Sequence, residues 1–153
     1  MGEPSTHTLL DRNHRQGLMA RFRSLRPEAR ARWGRMVAPE MLAHLSDQMR
    51  HTLGDVPIVR HPSPLRWPIV KQVVLYLLPW PRGRVQGPPE AFVTRPTGWE
   101  EDLAAFEALV ERFVSAAERT DWPEHPFFGG MSRRSWGAFC HRHFDHHLRQ
   151  FGA

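Results

Sequence analysis

The chain has 153 residues, of which 41% are hydrophobic and 24% are charged. This is the size and composition of one ordinary globular domain, and it excludes wholesale disorder. The single cysteine, Cys140, excludes an internal disulfide framework and favours a reducing compartment. There is neither an apolar signal segment nor an uninterrupted run of the ~20 apolar residues that a membrane span needs. We therefore expect a single domain over residues 1–153 that is cytoplasmic and does not enter a membrane.

The net charge of +5 comes mainly from arginine, and an arginine-rich segment runs from Arg21 to Arg35. Such a segment can mark a nucleic-acid surface. Here neither a regular interleaving of aromatic and basic residues nor the pattern of a recognition helix supports that interpretation. We interpret it as a solvated helix face and loop, and we do not expect nucleic acid as a partner.

Four helical segments can be traced along the chain, without a convincing run of alternating strand residues. The first covers about Thr8 to Leu25, has a weak apolar stripe and ends before Pro27. The second, residues 38–54, is better marked, because Pro39 suits the first turn of a helix and Gly54 suits its C-terminal stop.

A proline-rich connection from Pro57 to Pro96 follows, and it contains the longest apolar run, Trp67 to Trp80. Periodicity does not decide whether this run is a short helix or an irregular wall. We interpret its apolar side chains as part of the core or as the surface of a homodimer.

The third helix opens with Thr97 and Glu100, which have the spacing of a capping box. A Pro/Gly-rich loop, DWPEHPFFGG, then leads to Ser132, a suitable N-cap for the final helix. Along the third helix, apolar residues recur at helical period and predict a core-facing stripe: Leu103, Phe106, Leu109, Val110, Phe113, Val114 and Ala117. Four helices, one of them strongly amphipathic, predict an all-α four-helix bundle.

The final helix carries four of the chain's 10 histidines, in HRHFDHHLRQFG. His143 and His147 are four residues apart, a spacing that lets two imidazoles on one helix face bind the same metal ion. A projection at ~100° per residue places both on the inward face, His146 at its margin and His141 toward solvent. Buried imidazoles need partners, and a metal ion would supply one to both.

The second helix offers a third ligand, His44, which lies in MLAHLSDQ toward one edge of that helix's apolar stripe. This position would face a cleft between helices. His51 lies on the same flank nearly two turns later. From spacing alone, the alternative stays open that His44, His143 and His147 are unrelated residues satisfied by backbone or solvent.

The segments MLAHLSDQ, HPFFG and HFDHHLRQFG resemble the DinB/YfiT-like superfamily of metal-binding four-helix bundles. They are most similar to a bacterial branch of small domains of unknown function. The resemblance covers nearly the whole chain, from WGRM through PWPRG to the C-terminal helix. It implies a divalent ion, zinc or nickel, held by His44, His143 and His147. Gln150 matches a glutamine found after the histidine pair in many members, whereas Arg149 stands where those members have glycine.

Other polar residues are expected around this site. His146 is placed behind the ligands or on the cleft wall, and Asp47, Gln48 and Gln150 are candidates for holding the histidine tautomers. The remaining histidines and the thiol of Cys140 receive simpler interpretations. We expect His7, His14 and His61 on loops or helix surfaces, His125 in a turn or a cleft wall, and Cys140 as a small, inert core residue.

Two classes of function follow. The resemblance implies a metal-dependent enzyme, a thiol S-transferase or a hydrolase, in which water or a low-molecular-weight thiol is activated by the ion. No catalytic side chain and no small-molecule substrate can be named. The alternative is a non-catalytic metal-binding or stress-related interaction protein. An open cleft favours the enzyme, and a closed site with a fourth protein ligand such as His146 favours the structural role.

Overall fold

The computed structural model describes residues 7–84 and 87–153. Within them the chain forms five α-helices and no β-strand: α1 (Arg12–Ser24), α2 (Ala38–Leu53), α3 (Pro68–Tyr76), α4 (Trp99–Ser115) and α5 (Arg133–Gln150). The all-α prediction is therefore confirmed. The expectation of no secretory signal rests partly on residues 1–6, and the proline-rich connection includes residues 85–86. Both stretches lie outside the described residues. None of the helices in the described ranges is long and apolar enough to cross a membrane.

Both ends of α2 and the start of α5 lie where the sequence predicts them. Pro39 is in the first turn of α2, and Gly54 ends that helix in the left-handed conformation, with φ of 83°. The Ser132 hydroxyl caps α5 by accepting from the Ser135 N–H at 3.1 Å. In contrast, α1 begins at Arg12 and not at Thr8, because the Asp11 carboxylate is its cap.

The predicted capping box of Thr97 and Glu100 at the start of α4 is wrong. Gly98 is the N-cap residue, so Glu100 lies too early in the helix to reach back to it. The Asp102 carboxylate takes this role instead. It accepts from the backbone N–H groups of Thr97 and Gly98 at 2.9 and 3.3 Å and from the Thr97 hydroxyl at 2.7 Å.

The apolar run from Trp67 to Trp80 contains the short helix α3. Only one of its helical side chains, Leu75, is fully buried in the core. Several others face solvent, among them Ile69, which is 78% exposed: Trp67, Ile69, Leu77 and Leu78. The homodimer surface stays a prediction.

The core lies between α2, α4, α1 and α5, with α2 at its centre. Phe22, Phe106 and Phe144 meet edge to face there, with ring centroids 5.0 to 5.9 Å apart. The predicted stripe of α4 is buried from Leu103 to Phe113, whereas Ala117 lies beyond the end of the helix and is exposed.

The central position of α2 has a further consequence, because 13 of its 16 residues are buried. A helix enclosed on nearly all sides buries polar side chains as well as apolar ones. Each buried polar group must then find a partner, and those partners define the site.

Candidate metal centre

Three histidines converge where α2 meets α5. His44 Nε2 lies 3.2 Å from His143 Nε2, which in turn lies 3.1 Å from His147 Nε2. All three ligand atoms are within 4.8 Å of one another. In residues 7–84 and 87–153, no other group of three or more His, Cys, Asp or Glu side chains has this spacing.

The second nitrogen of each ring points outward to an oxygen. His44 Nδ1 lies 2.7 Å from the Ala91 carbonyl oxygen, His143 Nδ1 lies 3.4 Å from Gln48 Oε1, and His147 Nδ1 lies 2.8 Å from Gln150 Oε1. Carbonyl and amide oxygens only accept hydrogen bonds. Each Nδ1 therefore carries the ring's proton, and each Nε2 directs its lone pair to the centre of the triad.

Both glutamine side chains are themselves oriented by their amide nitrogens. Gln150 Nε2 donates to the Trp33 carbonyl at 2.9 Å, and Gln48 Nε2 donates to the Thr52 hydroxyl at 2.5 Å. With its nitrogen engaged elsewhere, each amide presents its oxygen to a histidine. Gln48 and Gln150 thus lie directly behind the imidazoles, as second-layer acceptors of the kind that usually support metal-binding histidines.

The chemistry of this triad fits a divalent cation. The unprotonated Nε2 of His143 lies 3.2 and 3.1 Å from those of His44 and His147. These lone pairs meet with no hydrogen between them, which is unfavourable in a buried site. Burial is the largest cause that lowers the pKa of all three histidines, and the neighbouring imidazoles add to it for His143 and His147. The pKa of His147 falls to about 3. Neutral imidazoles are the form that binds a metal, and one cation would satisfy all three.

Asp47 acts one step further from the triad than expected. Its carboxylate makes no hydrogen bond to the three imidazoles. It accepts from the backbone N–H groups of Val93 and Thr94 at 3.1 and 2.9 Å. These residues follow the 3₁₀ turn Pro89–Phe92, so Asp47 holds the segment that presents the Ala91 carbonyl to His44.

His146 does not join the triad. Its ring centroid lies 5.4 Å from that of His147, with Trp33 at 5.7 Å and Trp80 at 6.4 Å on its other sides. It lines the cavity next to the triad, which agrees with its expected place on the cleft wall.

A cavity of about 630 Å³ adjoins the triad and reaches all three ligands. His143 is partly exposed because its ring borders this space. Most of the wall is apolar, and its aromatic members are Trp80, Phe92, Phe127, Phe128, Trp136 and Phe139. The three imidazoles therefore form part of the wall of an accessible chamber.

His141 is the histidine whose predicted position is wrong. It is buried, and its ring packs 5.3 Å from His7 and 5.8 Å from His14. The projection treated α5 as having one covered face, whereas α1 and α3 also pack on it. Burial lowers the pKa of His141 to about 4. Cys140 lies in the core as expected, and burial raises the pKa of its thiol to about 12.

Two groups in the site have no counterpart in the sequence pattern. The Ala91 and Trp33 carbonyls come from connecting segments, and every residue type has a backbone carbonyl. No residue signal could have identified them.

The fold and the site define a class, namely an all-helical protein with a buried three-histidine cluster that could hold a metal ion. Residues 10–153 match the family model described as "Protein of unknown function (DUF1569)". Since this match covers nearly the whole chain, the protein belongs to the DUF1569 family. No curated protein and no solved structure matches the chain.

Proposed function

We propose that this protein binds one divalent metal ion, zinc or nickel, through Nε2 of His44, His143 and His147, and that the ion forms the centre of an enzyme active site. One observation carries the proposal. Three Nε2 lone pairs meet at one point, while three separate oxygen acceptors hold the protons on the opposite nitrogens.

We also propose that the fold is a DinB/YfiT-like four-helix bundle, in which α1, α2, α4 and α5 are the bundle helices. The helix α3 then belongs to the proline-rich connection between the second and third of them. Two observations support this assignment. The helices pack as α2 against α4 and α1 against α5. The histidines come from the second and last bundle helices, as the resemblance implies.

The reaction we propose is that of a thiol S-transferase or a hydrolase. Three neutral ligands leave the charge of the ion uncompensated and leave coordination positions free, whereas structural zinc sites use four protein ligands. When bound, such an ion supplies Lewis-acid activation of water or of a low-molecular-weight thiol. The protein's own residues bind and orient: the histidines hold the ion, Gln48 and Gln150 hold the rings, and the apolar cavity excludes bulk water from the substrate.

Metal analysis of the purified protein tests the proposal. We expect one zinc or nickel ion per chain in the wild type, and loss of stoichiometric metal in His44→Ala, His143→Ala and His147→Ala. The control is His141→Ala, which removes a buried imidazole from α5 outside the triad and should retain the metal. A wild-type protein that carries no metal, and binds none on reconstitution, would contradict the proposal.

Cobalt substitution tests the catalytic part separately. Co²⁺ in the site should change its visible spectrum when azide or a small thiol is added, because a three-ligand site has an exchangeable position. An unchanged spectrum at saturating azide and thiol would show a closed site and favour the non-catalytic metal-binding role.

A further inference from the structure

His125 occupies the tight turn of the HPFFGG motif. The backbones of His125 and Gly129 form two hydrogen bonds with N···O distances of 2.8 and 3.0 Å. The imidazole ring of His125 also contacts the backbone of the turn. His125 Nδ1 accepts from the backbone N–H groups of Phe127 and Phe128 at 3.1 and 3.2 Å. A nitrogen that accepts two N–H groups is unprotonated, so the proton of the neutral ring must be on Nε2.

The Nε2–H group of His125 is available to a ligand. It has no hydrogen-bond partner among the described residues, since both side-chain hydrogen bonds of His125 are made by Nδ1. His125 as a whole residue is 9% exposed, and it lines the cavity beside the triad. Burial, with the nearby charge of Arg66, lowers the pKa of His125 to about 3, so the ring stays neutral. The turn thus presents a single N–H donor to the cavity.

The wall between this donor and the triad is aromatic. The ring centroid of Phe139 lies 4.6 Å from that of His125 and 5.5 Å from that of His143. Phe128 and Trp136 border the His125 ring at 4.8 and 5.5 Å. One phenyl ring therefore separates the donor from the triad, a span that a small planar molecule can cover.

Charged groups are sparse in this wall. Within the described lining, Arg35 and Glu90 are the charged side chains, and Arg35 is solvent-exposed. Glu90 has a buried oxygen without a hydrogen-bond partner, which disfavours an anion beside it. Burying an unpaired charge among aromatic rings is costly. The volume of about 630 Å³ lies within the usual range for small-molecule sites.

We propose that the cavity binds a small, uncharged aromatic compound and that the Nε2–H of His125 donates a hydrogen bond to a carbonyl or ether oxygen of that compound. The inference rests on the proposed function in that this compound is the one brought to the metal. The hydrogen bond itself can be measured with or without metal.

The test compares two probes of nearly equal shape, acetophenone and ethylbenzene, of which only the first has an acceptor oxygen. Dissociation constants are measured by ligand-observed NMR titration, with benzoate as the anionic probe. The quantity of interest is the preference, defined as the ratio of the ethylbenzene and acetophenone dissociation constants. Replacing His125 with asparagine should reduce this preference roughly two- to tenfold, the range for one neutral hydrogen bond. In the metal-free protein, benzoate should bind more weakly than acetophenone.

Asparagine is the informative replacement because its Oδ1 can accept from the N–H two residues ahead, as the histidine Nδ1 does. His125→Asn thus keeps the turn's acceptor and removes the Nε2–H donor. The matched control is His61→Asn. The His61 ring stacks on Phe127 at 5.1 Å but does not line the cavity, so this variant should keep the wild-type preference.

A measurement on the wild type covers the case in which His125→Asn does not fold. Long-range ¹H–¹⁵N spectra should show His125 as the Nε2–H tautomer, and its Nε2 resonance should move with acetophenone but not with ethylbenzene. The inference is overturned if neither probe binds up to its solubility limit, if His125→Asn keeps the full preference, or if the resonance does not respond.

Metal content is measured on the same samples, so the two proposals fail separately. A wild type that holds no metal but shows the His125-dependent preference contradicts the proposed function and supports this inference. A metal-loaded wild type without that preference supports the proposed function and contradicts this inference.

Discussion

Replacing Gln150 with leucine should weaken metal binding although Gln150 is not a ligand. Its Oε1 lies 2.8 Å from His147 Nδ1, and its Nε2 lies 2.9 Å from the Trp33 carbonyl oxygen. One buried amide therefore sets both the tautomer of His147 and the position of its ring. Leucine fills a similar volume but makes neither hydrogen bond, so the proton of His147 can move to Nε2 and block coordination.

The expected magnitude follows from these two contacts. Loss of an outer acceptor of a metal-binding histidine typically weakens metal binding by roughly 10- to 100-fold, which is about 1.4 to 2.8 kcal/mol. In the metal-free protein, two hydrogen bonds of about 1 kcal/mol each are lost. The free energy of unfolding should therefore fall by about 2 kcal/mol in Gln150→Leu.

The two effects are measured separately. The dissociation constant for zinc is obtained by competition with a chromophoric chelator, and the free energy of unfolding by urea titration of the metal-free protein. The control is Leu109→Ala, which opens a cavity in the buried stripe of α4 at a residue that does not line the chamber beside the triad. It should cost about 2 to 5 kcal/mol and leave the zinc affinity unchanged. Gln150 does not support zinc binding through His147 if Gln150→Leu binds zinc within threefold of the wild type, or if Leu109→Ala weakens binding equally.

Three further predictions concern the fold. In urea titrations, Gly17→Ala should raise the free energy of unfolding by up to about 1 kcal/mol, because a Cβ there meets nothing within 4 Å. Gly137→Ala should lower the free energy of unfolding, because its Cβ would lie 2.5 Å from the Thr8 hydroxyl oxygen. A shift in the same direction for both variants would count against this packing. Cys140, with a thiol pKa of about 12, should resist a thiol reagent at pH 8 in the native protein and react in urea; rapid native labelling would contradict its burial. The pKa of His125 falls from 6.5 to about 3 on folding, so below pH 6.5 the unfolded state binds a proton that the folded state does not. As the pH falls, this group should lower the free energy of unfolding by up to about 1.4 kcal/mol per pH unit. The free energy of unfolding of His125→Asn should therefore decline less steeply between pH 6 and 4. An equally steep decline would exclude His125 as a source of the pH dependence.

The parts of the fold that the sequence predicts are those set by local chemistry. Pro39 and Gly54 bound α2 because a first-turn proline and a left-handed glycine act within one turn of the chain. The predicted capping box at the start of α4 is wrong for an equally local reason. The N-cap residue is Gly98, one residue later than a capping box that begins at Thr97, so Glu100 cannot complete the box. The Asp102 carboxylate accepts from the Thr97 N–H instead.

The residues of the site also divide into those that local spacing predicts and those that depend on contacts between distant segments. The four-residue spacing of His143 and His147 on one helix predicts that their rings can meet. The partner from α2 was suggested by its place at the edge of an apolar stripe, and the resemblance strengthened that choice. The acceptor for His44 is the Ala91 carbonyl, which side-chain patterns cannot reveal. His141 was misplaced because a single-helix projection cannot count the neighbours of that helix, and α5 has several.

The metal-free triad is energetically unfavourable, and this cost in free energy indicates a functional site. Three outward acceptors hold three protons away from the centre, so the rings cannot relieve their facing lone pairs by moving a proton without breaking a buried hydrogen bond. Replacing one histidine together with its outward side-chain acceptor by apolar residues would remove the facing lone pairs without leaving a buried group unpaired. Among the described residues, only four buried side-chain nitrogen or oxygen atoms lack a hydrogen-bond partner. An unfavourable cluster within an otherwise consistent structure is expected at a functional site. The same acceptors that make the metal-free cluster unfavourable are the ones that preorganise it, because the ion meets three lone pairs already in place and no ring has to turn.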